Sequence, residues 1–587
     1  MEFKNDSVKA NEYKKLPLER IRDRLDFIYG PEVANDIMPQ LTTLLGKYRE
    51  KNPPKNWENQ LTQRDAMLFT YGDSIISENQ TPLATLDSFL GEHFSGLLNY
   101  VHLLPFYPWT SDDGFAVTNF REVNPTLGEW TQIEELASKF QLVFDGVINH
   151  VSASSEYVRG FCKGDPAYEN FCLSVDTEVD LSGVFRTRNL PLLHAFETNR
   201  GDKHLWTTFG PDQVDLNYQN PKVLLEILDV MLFYASKGAS MVRLDAIPYL
   251  WKEIGSSCIH LPKTHEIIKL IRDVYDEIYP EVLLLSECNV PHPENISYLG
   301  DGGDEAQMVY NFALPPLILL SLIEGDGTAL SDWAGELILP AAPCALLNIT
   351  ATHDGIGMRA TEDLLSEEKR TVLIQRAKDH GGDITGKRNS DGSVSPYELN
   401  ITYFDALNKP IATDSSGAEP IELQISRFMC SQIIALSFAG MPGIYLQSLI
   451  GSRNDEEGVK LSGRARSINR KQHNFEELQS ELRQSDTLRK KVLERYQAIL
   501  KIRKEVDAFH PHAAQEVLDW GSAFFAIERM PESGENCLAI HHLRDEATKY
   551  YLAESYKYID LITGDTFHHA DGIDFEPYQC RWLIKRY

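Results

Sequence analysis

The chain is short of basic residues and of any long apolar run. Lysine and arginine number 57 against 86 aspartates and glutamates, a formal charge of −29. That deficit excludes the usual means of gripping nucleic acid or an anionic membrane, both dense with negative charge. No stretch approaches the roughly 18 uncharged apolar residues of a membrane-spanning helix. The opening Met1-Glu-Phe-Lys-Asn-Asp6 carries charge at once, so no secretion signal is expected either. Cysteine is sparse: eight residues, at 162, 172, 258, 288, 344, 430, 537 and 580, with no Cys-x-x-Cys pair. This argues against a thiolate metal site or a disulfide framework. A cytoplasmic monomer or homodimer acting on small molecules is expected, with no nucleic-acid or membrane partner.

What is present in quantity is apolar strand. At 587 residues with 42% hydrophobic content, there is material for a large core and more than one domain. Gly238-Ala-Ser-Met-Val-Arg-Leu-Asp-Ala246 reads as a buried strand that brings Arg243 and Asp245, two apart and so on one face, to its carboxyl end. Burying charges behind an apolar run is costly unless they have a task or a partner. Val282-Leu-Leu-Leu-Ser-Glu287 likewise ends in a carboxylate, and Ile349-Thr-Ala-Thr-His-Asp354-Gly-Ile-Gly357 presents another. Three strand ends with one acid each are the pattern of an α/β chain closed into a (β/α)8 TIM barrel, whose functional groups converge at the carboxyl-terminal face. A pair of such acids is the usual equipment for cleaving a glycosidic bond.

The order of elements agrees. Leu18, Ile21, Leu25 and Ile28 stand at helix-face spacing within residues 16–50, until Lys51-Asn-Pro-Pro-Lys-Asn56 breaks the pattern; a helical N-terminal extension over 1–63 follows. Strands are predicted over Ala66 to Tyr71, Tyr100 to Pro105 and Leu142 to His150, and helices over Pro221 to Lys237 and Thr264 to Asp276. The barrel then occupies 64–150, 218–357 and 411–512, interrupted by insertions at 151–217 and 358–410. Gly381-Gly-Asp383 and Asn389-Ser-Asp-Gly-Ser393 in the second insertion are turn signals, and a lid over the acceptor site is expected there. Short alternating strands such as Ser522 to Glu528 and Cys537 to His541 predict a small β-rich C-terminal domain over 513–587.

Asp145-Gly-Val-Ile-Asn-His150, Val242-Arg-Leu-Asp-Ala246, Leu285-Ser-Glu287 and Ala351-Thr-His-Asp354 resemble, in order and spacing, the four signature regions of the α-amylase superfamily. His102-Leu-Leu-Pro-Phe106, Gly255-Ser-Ser-Cys-Ile259, Phe312-Ala-Leu-Pro-Pro-Leu317 and His353-Asp-Gly-Ile-Gly357 are similar to its sucrose phosphorylase subfamily, across roughly 64–510. Trp109-Thr-Ser-Asp-Asp-Gly114, Ser395-Pro-Tyr-Glu-Leu-Asn400 and Gly451-Ser-Arg-Asn-Asp455 look like the branch of glucosylglycerate and glucosylglycerol phosphorylases.

The resemblance implies a retaining double displacement. Asp245 would attack the anomeric carbon, Glu287 would protonate the departing oxygen and then act as base toward phosphate, and Asp354 would hold two sugar hydroxyls and stabilise the transition state. The carboxyls of Asp245 and Glu287 are expected about 5 Å apart. Arg243 is expected to keep Asp245 ionised, and the apolar run Leu283 to Leu285 to keep Glu287 protonated. Carried over in the same way, Asp112, Phe115, His150, Phe209, Gln213, Arg243, His353 and Arg466 bind glucose. Arg188, Tyr249, Asn289, Ser395, Tyr397 and Glu398 face acceptor or phosphate. Asn149 resembles a calcium-binding position of many amylases but is read as a hydrogen-bonded loop residue; no metal and no cofactor are implied.

Departures from the subfamily bear on the substrate. Ser395 and Glu398 stand where sucrose phosphorylases hold fructose with an Asp and a Gln, Asn289 replaces a His after the acid/base, and Thr187 replaces a Pro of the first acceptor loop. Unmatched polar groups in a closed site exclude a substrate, so sucrose is not the expected donor. The expected reaction is phosphorolysis of glucosylglycerate to α-D-glucose 1-phosphate and glycerate, with glucosylglycerol as the alternative. A glycerate carboxylate wants a cation, for which Arg188, Lys387 and Arg388 are candidates, whereas Glu398 facing the site would repel it. A sucrose phosphorylase, transglucosylase or α-glucoside hydrolase would share the three acids. An inactive scaffold is disfavoured by their survival together with His353 and Arg466.

Overall fold

The computed structural model describes residues 15–49, 61–389, 392–409, 419–551, 557–568 and 572–586. The break predicted at Lys51 to Asn56, and positions 390 and 391 of the predicted turn, lie outside the described residues. Eight parallel strands close into a barrel: β1 Met67–Thr70, β2 Tyr100–Leu103, β3 Gln141–Gly146, β4 Ala239–Leu244, β5 Leu283–Ser286, β6 Met308–Tyr310, β7 Ala345–Asn348 and β8 Met441–Tyr445. Every residue in them is buried except Gln141, because helices cover the outer face and side chains fill the interior; continuous apolar runs are the sequence form of that double burial.

The strands are shorter than their apolar runs, since the ladder ends where the loops of the site begin. After Gly146 the chain leaves the barrel, and His150–Ser152 pairs antiparallel with Gln213–Asp215. These two short strands form the root of the first insertion. Beyond them it holds the helix Glu156–Lys163 and the hairpin Leu193–Phe196/Lys203–Trp206, packed on a small core of Val175, Val184, Leu192, Trp206 and Cys258. The second insertion contains the helix Glu367–Asp379 and the strands Asp383–Arg388 and Val394–Asn400, which form a three-stranded sheet with Ile356–Gly357 just ahead of it.

The N-terminal extension is two helices, Pro17–Tyr29 and Pro31–Arg49, separated at Gly30, whose φ of 83° ends the first. Ile21, Leu25 and Ile28 are buried, as their spacing predicts. The first helix lies on the barrel helix Pro262–Ile278 through Arg20, which reaches Asp273 at 2.5 Å and Asp276 at 2.6 Å. The second reaches the helix Pro221–Ser236 through Tyr48, whose hydroxyl donates to Asp229 at 2.7 Å. The extension therefore clamps the outer helices that flank β4. At the other end, Ala514–Leu518, Phe524–Met530, Cys537–His542, Cys580–Arg586, Lys557–Asp560 and Thr566–His568 form an antiparallel sheet in that spatial order. All eight cysteines are free. Among the described residues no helix is long and apolar enough to cross a membrane.

Candidate active site

Strand register brings the acids together. Asp145 of β3 lies opposite Arg243 of β4, and Arg243 opposite Leu285 of β5. In-register residues of parallel neighbours share a face, so Asp145 and Arg243 both point into the barrel and form an ion pair, with His102 on the other Asp145 oxygen at 2.8 Å. Moving two residues along each strand keeps the face and reaches Asp245 and Glu287. The ladder continues that far, since the Glu287 N–H donates to the Leu244 carbonyl at 3.2 Å. Adjacent strands are about 4.8 Å apart, so the two acids stand at neighbouring strand ends, the placement a retaining mechanism uses. One guanidinium serves both acids: Arg243 Nη1 is 3.1 Å from Asp245 and Nη2 is 3.6 Å from Glu287.

Burial pushes both acids up to about 7, against the pull of Arg243. Arg243 is expected to favour the ionised form of Asp245 and does pull its carboxyl down, but removal from water and the charge of Asp145, which engages the same guanidinium, outweigh that effect. The pair titrates as a unit. Asp245 has the closer contact to Arg243, 3.1 Å against 3.6 Å, which favours its charged form over that of Glu287. The chain turns away sharply after the acid: Ala246 takes the left-handed conformation, φ 50°, a strained choice for a residue with a side chain.

Asp354 behaves oppositely. Burial opposes its charge, but Arg466, His353, Arg470 and Arg188 outweigh burial and hold its carboxyl far below the usual range. Arg466 reaches Oδ1 at 2.7 Å, Arg470 at 2.9 Å and His353 at 3.4 Å. All three contacts fall on Oδ1, which leaves Oδ2 as the oxygen for sugar hydroxyls. Gly355 follows with φ 109°, and a Cβ there would lie 2.3 Å from the Leu399 carbonyl oxygen, so the turn admits only glycine. Burial keeps His353 and His150 neutral, lowering both.

The remaining walls suit a small polar ring. Phe115 stacks on His353 with centroids 5.1 Å apart, and Phe209 stands against Tyr249 at 5.6 Å. Gln213 links Asp112 at 3.2 Å to His150 at 3.3 Å. Asp112 and Asp113 both adopt positive φ before Gly114, where a Cβ would sit 2.7 Å from the Pro105 carbonyl oxygen. This strained loop presents Asp112 inward and sends Asp113 to Arg470 at 2.5 Å.

On the acceptor side, Arg188 lies 5.7 Å from the Tyr397 ring and 5.9 Å from Phe209, and its Nη1 is buried without a hydrogen-bond partner. Burial holds Tyr249 and Tyr397 protonated, as donors. Tyr397 and Glu398 are consecutive yet both line the cavity. A bulge permits it: Thr385 pairs with Glu398 and Gly386 with Pro396, so Tyr397 is the extra residue.

The glucosylglycerate phosphorylase of Spirochaeta thermophila is 44% identical over 97% of this chain and 98% of its own length, and the family description "Alpha amylase, catalytic domain" matches residues 98–322. The chain belongs to the α-amylase superfamily and, within it, to the sucrose phosphorylase subfamily. The glucosylglycerate phosphorylase of Escherichia coli is 39% identical over 96% of this chain and all of the relative. The crystal structure of sucrose 6F-phosphate phosphorylase from Thermoanaerobacter thermosaccharolyticum superposes with a TM-score of 0.71 at 22% identity, covering 89% of this chain and all of that one; this shows a common fold.

Asp245, Glu287, Asp354, Asp112, Phe115, His150, Phe209, Gln213, Arg243, His353 and Arg466 line one cavity, with Arg188, Tyr249, Asn289, Tyr397 and Glu398. Ser395 does not. It lies beyond the bulge, where its hydroxyl donates to Asn389 at 3.1 Å. Lys387 is also outside the cavity, paired with Glu362 at 2.8 Å. Glu398 faces inward and is held by a bidentate contact with Arg466 at 2.7 and 3.2 Å, a guanidinium it shares with Asp354, which reduces the expected repulsion of an acceptor carboxylate. Three residues given no role in the sequence reading matter here: Asp145, which anchors Arg243, and Asp113 with Arg470, which brace Asp354.

Asn149 is a buried hydrogen-bonding residue. Lys252 Nζ donates to its Oδ1 at 2.9 Å and lies 2.7 Å from Asp215, tying the root of the first insertion, and hence His150 and Gln213, to the barrel. Lys252→Met leaves Asp215 as an uncompensated buried charge, so it should destabilise the protein by about 3–5 kcal/mol. Thermal melting checks this; an unchanged midpoint would remove the bridge from the account.

Proposed function

We propose that the protein is a retaining α-glucoside phosphorylase that converts glucosylglycerate and phosphate to α-D-glucose 1-phosphate and glycerate. The observation that carries the reading is the register pairing of Asp245 with Glu287 on one buried guanidinium. That arrangement supplies one ionised and one protonated carboxyl at a separation suited to a covalent intermediate. Asp245 attacks the anomeric carbon while Glu287 gives its proton to the leaving glycerate oxygen. The glucosyl ester so formed is then attacked by phosphate, whose proton returns to Glu287. Arg243 moderates charge on both acids throughout. Oδ2 of Asp354, with His150, Gln213 and Asp112, orients the ring, and Phe115 with Phe209 excludes water.

Acceptor chemistry favours an anion. The donors at that end are the Arg188 guanidinium, the Tyr249 and Tyr397 hydroxyls and the Asn289 amide, while Glu398 is taken up by Arg466. The two glucosylglycerate phosphorylase relatives support glycerate over glycerol. The cytoplasm, where eight unpaired cysteines stay reduced, is the compartment that suits the protein, as a monomer or homodimer.

The test is direct. Purified protein should release glucose 1-phosphate from glucosylglycerate only when phosphate is supplied, and free glucose at a comparable rate without phosphate would identify a hydrolase or transglucosylase. Arg188→Ala should weaken phosphorolysis by roughly 30- to 100-fold, chiefly through a higher KM for phosphate, since it removes the unpartnered cation at the acceptor end. A loss confined to kcat would reassign Arg188.

A further inference from the structure

Arg359 opens a short turn, Arg359–Thr361, just past the strand Ile356–Gly357, and its side chain is buried. It stands behind the acceptor end. Nη1 reaches only the Asn289 carbonyl, at 3.5 Å, and the guanidinium lies 4.7 Å from the ring of Phe185, in the loop that carries Arg188. Nε is buried with no hydrogen-bond partner. The acid within range is Glu362, 4.0 Å from Nε, and its other oxygen is held by Lys387 at 2.8 Å. Glu294, also on this side, pairs with His260 at 3.3 Å. Two cations thus lean on one carboxylate inside a wall of low dielectric, where charge is weakly screened. In front of Arg359 stand Tyr249 and Tyr397, both of which feel its charge, and the Asn289 side chain, whose buried Oδ1 is also unpartnered.

A buried cation with so few partners destabilises a fold unless an anion completes it. We propose that Arg359 determines acceptor specificity: from behind Asn289, Tyr249 and Tyr397 it gives the acceptor end a positive potential that favours an anionic entrant, the glycerate carboxylate or phosphate, over glycerol or water. The inference rests on the phosphorylase reading above. In a retaining reaction the second acceptor occupies the space the first vacates, so glycerate and phosphate meet the same field in turn. Arg359 is a specificity residue that acts on the donors in front of it, whereas Arg188 is placed to touch the anion.

The experiment reads the second half-reaction alone. α-D-Glucosyl fluoride, an uncharged donor, loads the enzyme: the C–F bond breaks, fluoride leaves and the Asp245 ester forms. Fluoride takes no proton, so Glu287 first releases its own to solvent; the ester is then shared among acceptors present together, each giving its proton to the freed Glu287 carboxylate, and the product ratio is independent of how fast the ester formed. Arg359→Met should shift both the glycerate-to-glycerol and the phosphate-to-water ratios about tenfold toward the neutral acceptor, and Arg359→Lys should keep most of the wild-type ratio. Arg359→Gln stands in if the Met variant does not fold. Unchanged ratios with a lower overall rate, or an equal shift in the Lys variant, would assign Arg359 a purely structural role and overturn the proposal. A wild-type enzyme that does not prefer glycerate to glycerol would instead defeat the glycerate reading, and the phosphate-to-water ratio would still decide Arg359.

Discussion

Asp245→Ala, and the closer mimic Asp245→Asn, should leave phosphorolysis reduced on the order of 10⁴-fold or more. No other group in the cavity can take the role. Glu287 is needed as the acid and lies at the neighbouring strand end, and Oδ1 of Asp354 is occupied by Arg466 and Arg470. The fold should survive. Arg243 keeps its partner Asp145, itself held by His102, so no buried cation is stranded. Removing Asp245 also removes a carboxylate that burial and the charges of Asp145, Asp354 and Asp112 push up to about 7, which relieves that repulsion. The melting temperature is therefore expected to stay level or rise, the usual sign of a residue kept for function at the expense of stability. Glucose 1-phosphate release and thermal melting on the same sample check both halves; activity within 100-fold of the native rate would move the nucleophile elsewhere.

The barrel is readable from sequence because each of its strands is buried on both faces. Met67 to Thr70 and Leu283 to Ser286 are unbroken apolar or small runs, and the covering helices leave them no reason to alternate. Strand ends are less readable. Ile349-Thr-Ala-Thr-His-Asp354 has the β-branched content of a strand, yet β7 stops at Asn348. Thr352 is used in a local turn, bridged to Gly355, while the Thr350 hydroxyl donates to Gln432 at 2.8 Å, and a left-handed glycine ends any continuation. Composition cannot distinguish a β-branched residue in a ladder from one packed in a tight loop.

The site divides on the same physical line. Residues at strand ends, such as Arg243, Asp245 and Glu287, carry a local signal, because a charge behind an apolar run is unusual wherever it occurs. Partners joined across the chain carry none. Asp113 and Arg470 are 357 residues apart, and nothing near either one marks the pair that braces Asp354. Arg359 is similarly silent, a lone arginine two residues past a glycine. Ser395, assigned to the acceptor site by resemblance, falls outside the cavity for a related reason: the bulge at Tyr397 shifts the phase of the strand, an event set by pairing with Thr385 and Gly386 in another strand.

Glu287→Gln should separate the two halves of the reaction. With glucosylglycerate, whose leaving alkoxide needs a proton, the loss is expected at roughly 10²- to 10⁴-fold. With α-D-glucosyl fluoride, whose leaving group does not, loading of Asp245 should be slowed far less. The pH profile carries the sign of the assignment. In the native enzyme the working species has Asp245 charged and Glu287 protonated, and both carboxyls are raised to about 7 by burial, so activity falls below that region as Asp245 takes up a proton and above it as Glu287 loses one. Gln cannot ionise, so the alkaline limb should vanish. The acid limb should stay in place, because Asp245 is raised by burial and by the charges of Asp145, Asp354 and Asp112, none of which the substitution changes, and Arg243 remains at 3.1 Å. Stopped-flow fluoride release and steady-state rates across pH 4–9 would measure both limbs. An alkaline limb that persists in the Gln variant, or equal losses with both donors, would mean that the proton comes from another group and that the pairing of strand ends at 245 and 287 serves some chemistry other than the one proposed.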